Sequence, residues 1–161
     1  VYDPAPGFQD FGLRTDPLGY GKRIMTERVE RLIEVADEAD DDRQLIDALA
    51  GEVAGLHPFD PIDVLGVPVA AAWYAGGDPV QTIILAANDR DVDERGRLVG
   101  LRDVDCTAGV AGALVGALAG PDAFPEDWVA DTVAANREVY NIDIEANARR
   151  LFDTCRATEP R

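Results

Sequence analysis

Two aspartates and a cysteine open the stretch of this chain best suited to chemistry, Arg102-Asp103-Val104-Asp105-Cys106-Thr107. In an extended segment alternate side chains share one side, so Asp103 and Asp105 would point the same way. Carboxylates that close repel each other unless a cation lies between them. Oxygen donors of this kind suit Mg2+, Mn2+ or Ca2+. The small apolar residues 106–119 read as a helix, whose first free N–H groups can receive an anionic group such as a phosphate. The spacing is open to a plainer reading too, with Asp105 capping the helix and Asp103 a solvated loop residue. Gly109, Gly112, Gly116 and Gly120 would let another backbone approach closely, as at the centre of a bundle, offsetting their weak helix propensity.

A few other residues have chemical potential. Asn88 either hydrogen-bonds a sugar hydroxyl or caps the helix it ends. Trp128 and Tyr140, like Trp73 and Tyr74, either stack on a planar ligand or pack in the core at helical spacing. Cys106, at a helix N-terminus, invites a lowered pKa. A cysteine nucleophile normally needs a histidine, and the one histidine, His57, sits beside Pro58 in a loop. The same scarcity removes His-rich zinc sites and Ser-His-Asp triads.

The elements that must position these residues are helical. Residues 1–23, with Pro4, Pro6, Gly7, Gly12, Pro17, Gly19 and Gly21, read as an irregular arm. Residues 24–157 then form the helical portion. Met25, Val29, Leu32, Ile33 and Ala36 fall at helix spacing, with a start near Thr26, and the acidic run 37–42 ends that pattern. Leu45, Leu49 and Val53 mark a second helix. Val67 to Ala75 reads as a third, with Pro68 in its tolerant first turn. Gly76-Gly77 stops it, and Asp78-Pro79 opens a fourth as N-cap and first-turn proline. Residues 88–101 read as a charged loop. Pro125 starts a helix to Tyr140, with Glu126 and Asp127 at the positive end of its dipole. Ile144, Ala148, Leu151, Phe152 and Cys155 line the last. Runs of period-two alternation are missing, so the expected fold is all-α, a compact bundle of about six or seven helices.

The charge excludes several partners. With 31 acidic against 15 basic residues the formal net charge is −16. No excess of Lys or Arg is available to displace counterions from nucleic acid or to hold an anionic membrane. Divalent cations are the ligand class this charge favours. No apolar stretch reaches the length of a membrane span. Two cysteines, Cys106 and Cys155, form no CxxC pair, which fits a reducing, cytoplasmic setting.

The run Arg102-Asp103-Val104-Asp105-Cys106, with the Ala/Gly-rich helix after it, resembles the C-terminal signature of the ADP-ribosylglycohydrolase family, an Asp-x-Asp-[Thr/Ser/Cys] before AxxAGALxGA. Val67-Pro68-Val69-Ala70, Gly77-Asp78-Pro79 with 83–88, and Phe124-Pro125-Glu126-Asp127-Trp128 are similar to its flanking motifs, so the likeness covers about residues 60–155.

The resemblance implies an all-α bundle and hydrolysis of an ADP-ribosyl or ribosyl glycosidic bond with two Mg2+ or Mn2+ ions. It implies Asp103, Asp105 and Cys106 as metal ligands, with Asp105 bridging both ions. Asn88, Arg102 and Trp128 become candidates for contacting an ADP-ribose-like or nucleoside-like small molecule, and Arg102 also for pairing with a carboxylate behind the metal. Cys106 stands where the family usually has Thr or Ser, and a thiol suits Mg2+ less. Arg90-Asp91-Val92-Asp93 echoes the motif within a longer loop than usual; the glycine-patterned helix favours Asp103 and Asp105. The family's Gly-rich opening helix and Thr-Asp-Asp are not in this sequence. The expectation is therefore the C-terminal portion of a hydrolase, completed by an N-terminal half or companion chain. The alternative is a non-catalytic helical module that binds a partner.

Overall fold

The computed structural model describes residues 17–58 and 60–158. Seven α-helices and one short hairpin make up these residues, in two units, 1–118 and 119–161. The all-α expectation is met.

In the first unit α1 spans Pro17–Glu38, α2 Asp42–Val53, α3 Val67–Tyr74, α4 Pro79–Ala86 and α5 Val104–Ala119. An irregular arm is expected over 1–23. Residues 1–16 lie outside the described residues, and 17–23 belong to α1. A proline in the first turn is compatible with a helix, and glycines inside one cost only about 1 kcal/mol each, which the rest of a long helix can offset.

The core forms where α1, α2, α3 and α4 turn their apolar faces inward. Leu32, Val35 and Ala36 of α1 meet Leu45, Leu49 and Val53 of α2, Val67, Ala70 and Ala71 of α3, and Leu85 of α4. Burying each Leu or Val contributes roughly 1.5–3 kcal/mol relative to exposure. α3 packs against both α1 and α4. Its approach to α1 is close at Gly66, where a Cβ would lie 2.6 Å from Leu32 Cδ1.

The acidic run is a connector and not only a solvated surface. Asp41 accepts from the Gln44 N–H at 2.8 Å and caps α2. Asp37 accepts from Trp73 Nε1 at 2.8 Å, and Asp42 from Gln81 Nε2 at 2.9 Å. Trp73 is thus 57% exposed and held at its polar edge, not a core residue. After α3, Gly76 and Gly77 take left-handed φ of 60° and 82°. Their N–H groups return to the Trp73 and Ala72 carbonyls, which ends the helix in a Schellman motif. Asp78 then caps α4, accepting from the Gln81 N–H at 2.7 Å.

The stretch expected as a charged loop contains an antiparallel hairpin. β1, Arg90–Val92, pairs with β2, Leu98–Leu101, through Arg90↔Leu101, Asp91↔Gly100 and Val92↔Leu98, with a register shift after Asp91. Asp93 holds the turn by accepting from the Arg95 and Arg97 N–H groups at 2.9 and 3.0 Å. Strands this short give alternation no length over which to show.

α5 buries Thr107, Ala111 and Val115, one residue per turn on one stripe. The close backbone approach expected at its glycines is not found at Gly109 or Gly112. A Cβ at Gly109 would meet nothing within 4 Å, and one at Gly112 would touch Ile83 Cδ1 at 3.7 Å.

The second unit pairs α6, Glu126–Tyr140, with α7, Ile144–Thr158. Pro125 occupies the N-cap of α6, and Glu126 and Asp127 lie in its first turn. Asn141, at φ 53°, ends α6, and Asp143 accepts from the Ala146 N–H at 2.9 Å to start α7. Val139, Tyr140, Leu151 and Phe152 stay exposed.

Candidate metal centre

Asp103 sits at the mouth of α5. Its carbonyl accepts the Cys106 and Thr107 N–H groups, each at 3.0 Å, so the helix begins one residue later, at Val104. Asp103, Asp105 and Cys106 therefore converge within the first turn of a helix and not along an extended segment. One donor atom from each lies within 4.8 Å of the others, and among the described residues this is the one such group of three. Thr107 turns the other way and is buried, its hydroxyl donating to the Ala86 carbonyl at 3.1 Å.

The group fits a divalent cation. Asp103 Oδ2 is buried without a hydrogen-bond donor. A carboxylate oxygen in that state is costly unless a proton or cation satisfies it. Two carboxylates supply hard donors for Mg2+ or Mn2+, and Cys106 adds a softer one. Cys106 is exposed. Its hydrogen bond to Asp103, then partial desolvation, then the charges of Asp103 and Asp105 push the thiol up to about 11. The neighbouring carboxylates thus outweigh the helix N-terminus, and the lowered pKa expected there is not found. A protonated thiol is a poor nucleophile.

Arg102, one residue before the cluster, reaches inward. Nε donates to Asp63 Oδ2 at 2.6 Å, with the two side chains 1% and 0% exposed. Nη1 donates to Asp91 Oδ1 at 3.3 Å and Nη2 to the Leu56 carbonyl at 3.0 Å. The Arg102 N–H donates to the Asp89 carbonyl at 3.3 Å. The carboxylate pairing expected of Arg102 is therefore present. A direct contact with substrate would require this buried pairing to break.

Asp89 adjoins Asp63. Burial, then the charge of Asp63 and a hydrogen bond with it, push Asp89 up to about 8, against the opposing pull of Arg102. Both Asp89 oxygens and Asp63 Oδ1 lack an N–H partner. Asp89 therefore favours its protonated form more than a solvated carboxyl does, beside the Asp63–Arg102 pair. Sequence reasoning missed both acids. The available signal was an acid inside the apolar run Ile62-Asp63-Val64-Leu65.

The echoing acids are held by arginines: Asp91 by Arg102, and Asp93 by Arg97 at 2.6 Å, which keeps Asp93 below the usual carboxylate value. Asn88 Nδ2 donates to the Ile84 carbonyl at 2.8 Å and caps the end of α4. Trp128 lies on α6 in the second unit, 38% exposed. No described helix is long and apolar enough to cross a membrane.

These features define a helical protein with a candidate divalent-cation site at a helix N-terminus. The sequence profile of the ADP-ribosylglycohydrolase family matches residues 11–161, and the chain belongs to that family of hydrolases. Comparison with curated proteins and with solved structures gave no significant match.

Proposed function

We propose that this chain is the metal-ligand-bearing C-terminal portion of a Mg2+- or Mn2+-dependent hydrolase that cleaves an ADP-ribosyl or ribosyl glycosidic bond. The observation that carries the reading is the convergence of Asp103, Asp105 and Cys106 in the first turn of α5, with one Asp103 oxygen buried and unsatisfied. Asp103 and Asp105 would hold the ions, Asp105 bridging two of them. A bound ion of this kind orients sugar hydroxyls and polarises a water.

Three donors from one turn leave an octahedral ion short of protein ligands. The rest would come from an N-terminal half or companion chain. Cys106 would give up its thiol proton on serving as the third donor. Asn88 would reach a ribose hydroxyl by releasing the Ile84 carbonyl. The exposed apolar side chains of α6 and α7 favour a second reading, a non-catalytic module that binds a partner.

Calorimetric titration of Mn2+ into this chain and its Asp105→Asn variant tests the site. Stoichiometric binding lost in the variant supports the first reading. Binding that the variant retains would remove the cluster from consideration. Metal-dependent release of ADP-ribose or ribose after adding an N-terminal half in trans separates hydrolase from module.

A further inference from the structure

The buried group around Arg102 has a consequence for the loop beside it. We propose that Asp63 is a positioning residue for the metal centre, fixing the Arg102 guanidinium and, through it, the backbone that presents Asp103, Asp105 and Cys106. The proposal rests on the metal-centre reading above for its function, but its geometry is independent of it.

Arg102 is the covalent neighbour of Asp103, so wherever its backbone goes the first ligand follows. Four separate contacts determine that place. Asp63 lies in the π-helical turn Ile62–Gly66 that enters α3, Leu56 follows α2, Asp91 is in β1, and Asp89 follows α4. Asp63 supplies the shortest of these contacts and the one fully buried charge among them. A guanidinium left in that interior without its carboxylate would have to move toward water or draw water in. Either response displaces residue 102 and tilts the first turn of α5. Asp91 cannot take over, being 43% exposed and at 3.3 Å.

Asp89 plays the opposite part. It adjoins Asp63, whose Oδ1 is buried without a hydrogen-bond donor, and an amide at the same place can supply one. The two acids are thus distinguishable: an amide is tolerated at 89 and not at 63.

The test compares the full chain with Asp63→Asn, Asp89→Asn and Leu49→Ala, the last a core truncation on α2 that lowers stability without touching Arg102. Mn2+ affinity and amide hydrogen exchange at Cys106 and Thr107 are read below each variant's melting range. Asp63→Asn should weaken Mn2+ about tenfold or more, as loss of a group supporting a ligand does. It should also speed exchange at those two amides beyond the Leu49→Ala control, while Asp89→Asn matches wild type in both.

If Asp63→Asn does not fold, Asp63→Leu with Arg102→Met removes both charges together and should show the same losses in a folded chain. Wild-type affinity and exchange in either variant, or equal damage from Asp89→Asn, overturns the proposal. If wild type itself binds no Mn2+, the exchange comparison alone decides whether Asp63 positions the turn.

Discussion

Arg102 Nε and Asp63 Oδ2 lie 2.6 Å apart with both side chains shut off from solvent, joining the metal loop to the turn that enters α3. Removing one partner of such a pair strands a buried charge, which costs roughly 3–5 kcal/mol. Arg102→Leu should lose stability on that scale in urea denaturation. Asp63→Leu with Arg102→Met should lose clearly less than the sum of the single changes, a coupling that a double-mutant cycle reads directly.

Asp89 makes stability depend on pH in an unusual direction. Its folded-state pKa is raised from 3.8 to about 8. Between those values the folded chain holds a proton that the unfolded chain releases, so this group's contribution falls as pH rises and levels off above about 8. Asp89→Asn carries its donor permanently. Its melting temperature relative to wild type should therefore climb from pH 5 to pH 8; a constant difference would show that Asp89 is ionised in the fold.

The Cys106 thiol should be slow to alkylate. In a Cys155→Ser background, iodoacetamide at pH 8 should react with Cys106 more slowly than with a free thiol, because Asp103 and Asp105 hold its pKa at about 11. Asp103→Ala removes both the hydrogen bond and the charge of Asp103 and should raise the rate several-fold, since reactivity follows the thiolate fraction. An unchanged rate would separate Cys106 from Asp103.

Replacing the soft donor should shift metal preference. Cys106→Thr puts a hydroxyl where the thiol stands beside two carboxylates. The ratio of Mg2+ to Mn2+ affinity, measured by competition, should rise, because Mg2+ is the harder ion. An unchanged ratio would mean that the residue at 106 does not face the ion.

The contact of α1 with the entry to α3 leaves no room at Gly66. A Cβ there would overlap Leu32 Cδ1 at 2.6 Å, and Leu32 is 2% exposed. Gly66→Ala should cost about 1–3 kcal/mol by overpacking. Leu32→Val in the same chain should recover part of it, as judged from urea midpoints.

Local chemistry was legible from the residues alone. Asp78 stands where a cap must stand, and Gly76-Gly77 ends α3 through left-handed turns that few other residues adopt. Leu45, Leu49 and Val53 declare the buried face of α2 by their spacing. The proximity of Asp103, Asp105 and Cys106 is equally local, because three side chains within one turn of a helix need no distant segment to bring them together.

Tertiary structure decided the rest. The hairpin of β1 and β2 forms from strands too short to carry a pattern. The glycines of α5 gave no means of choosing its packed face, and the packing selected Thr107, Ala111 and Val115. Above all, Asp63 stands 39 residues from Arg102, and no periodicity links them. Helix caps and apolar stripes arise from neighbours a turn away. The partner of a buried guanidinium is chosen only when α2, the turn into α3, the end of α4 and the hairpin have closed around it and excluded the water that would otherwise have solvated its charge.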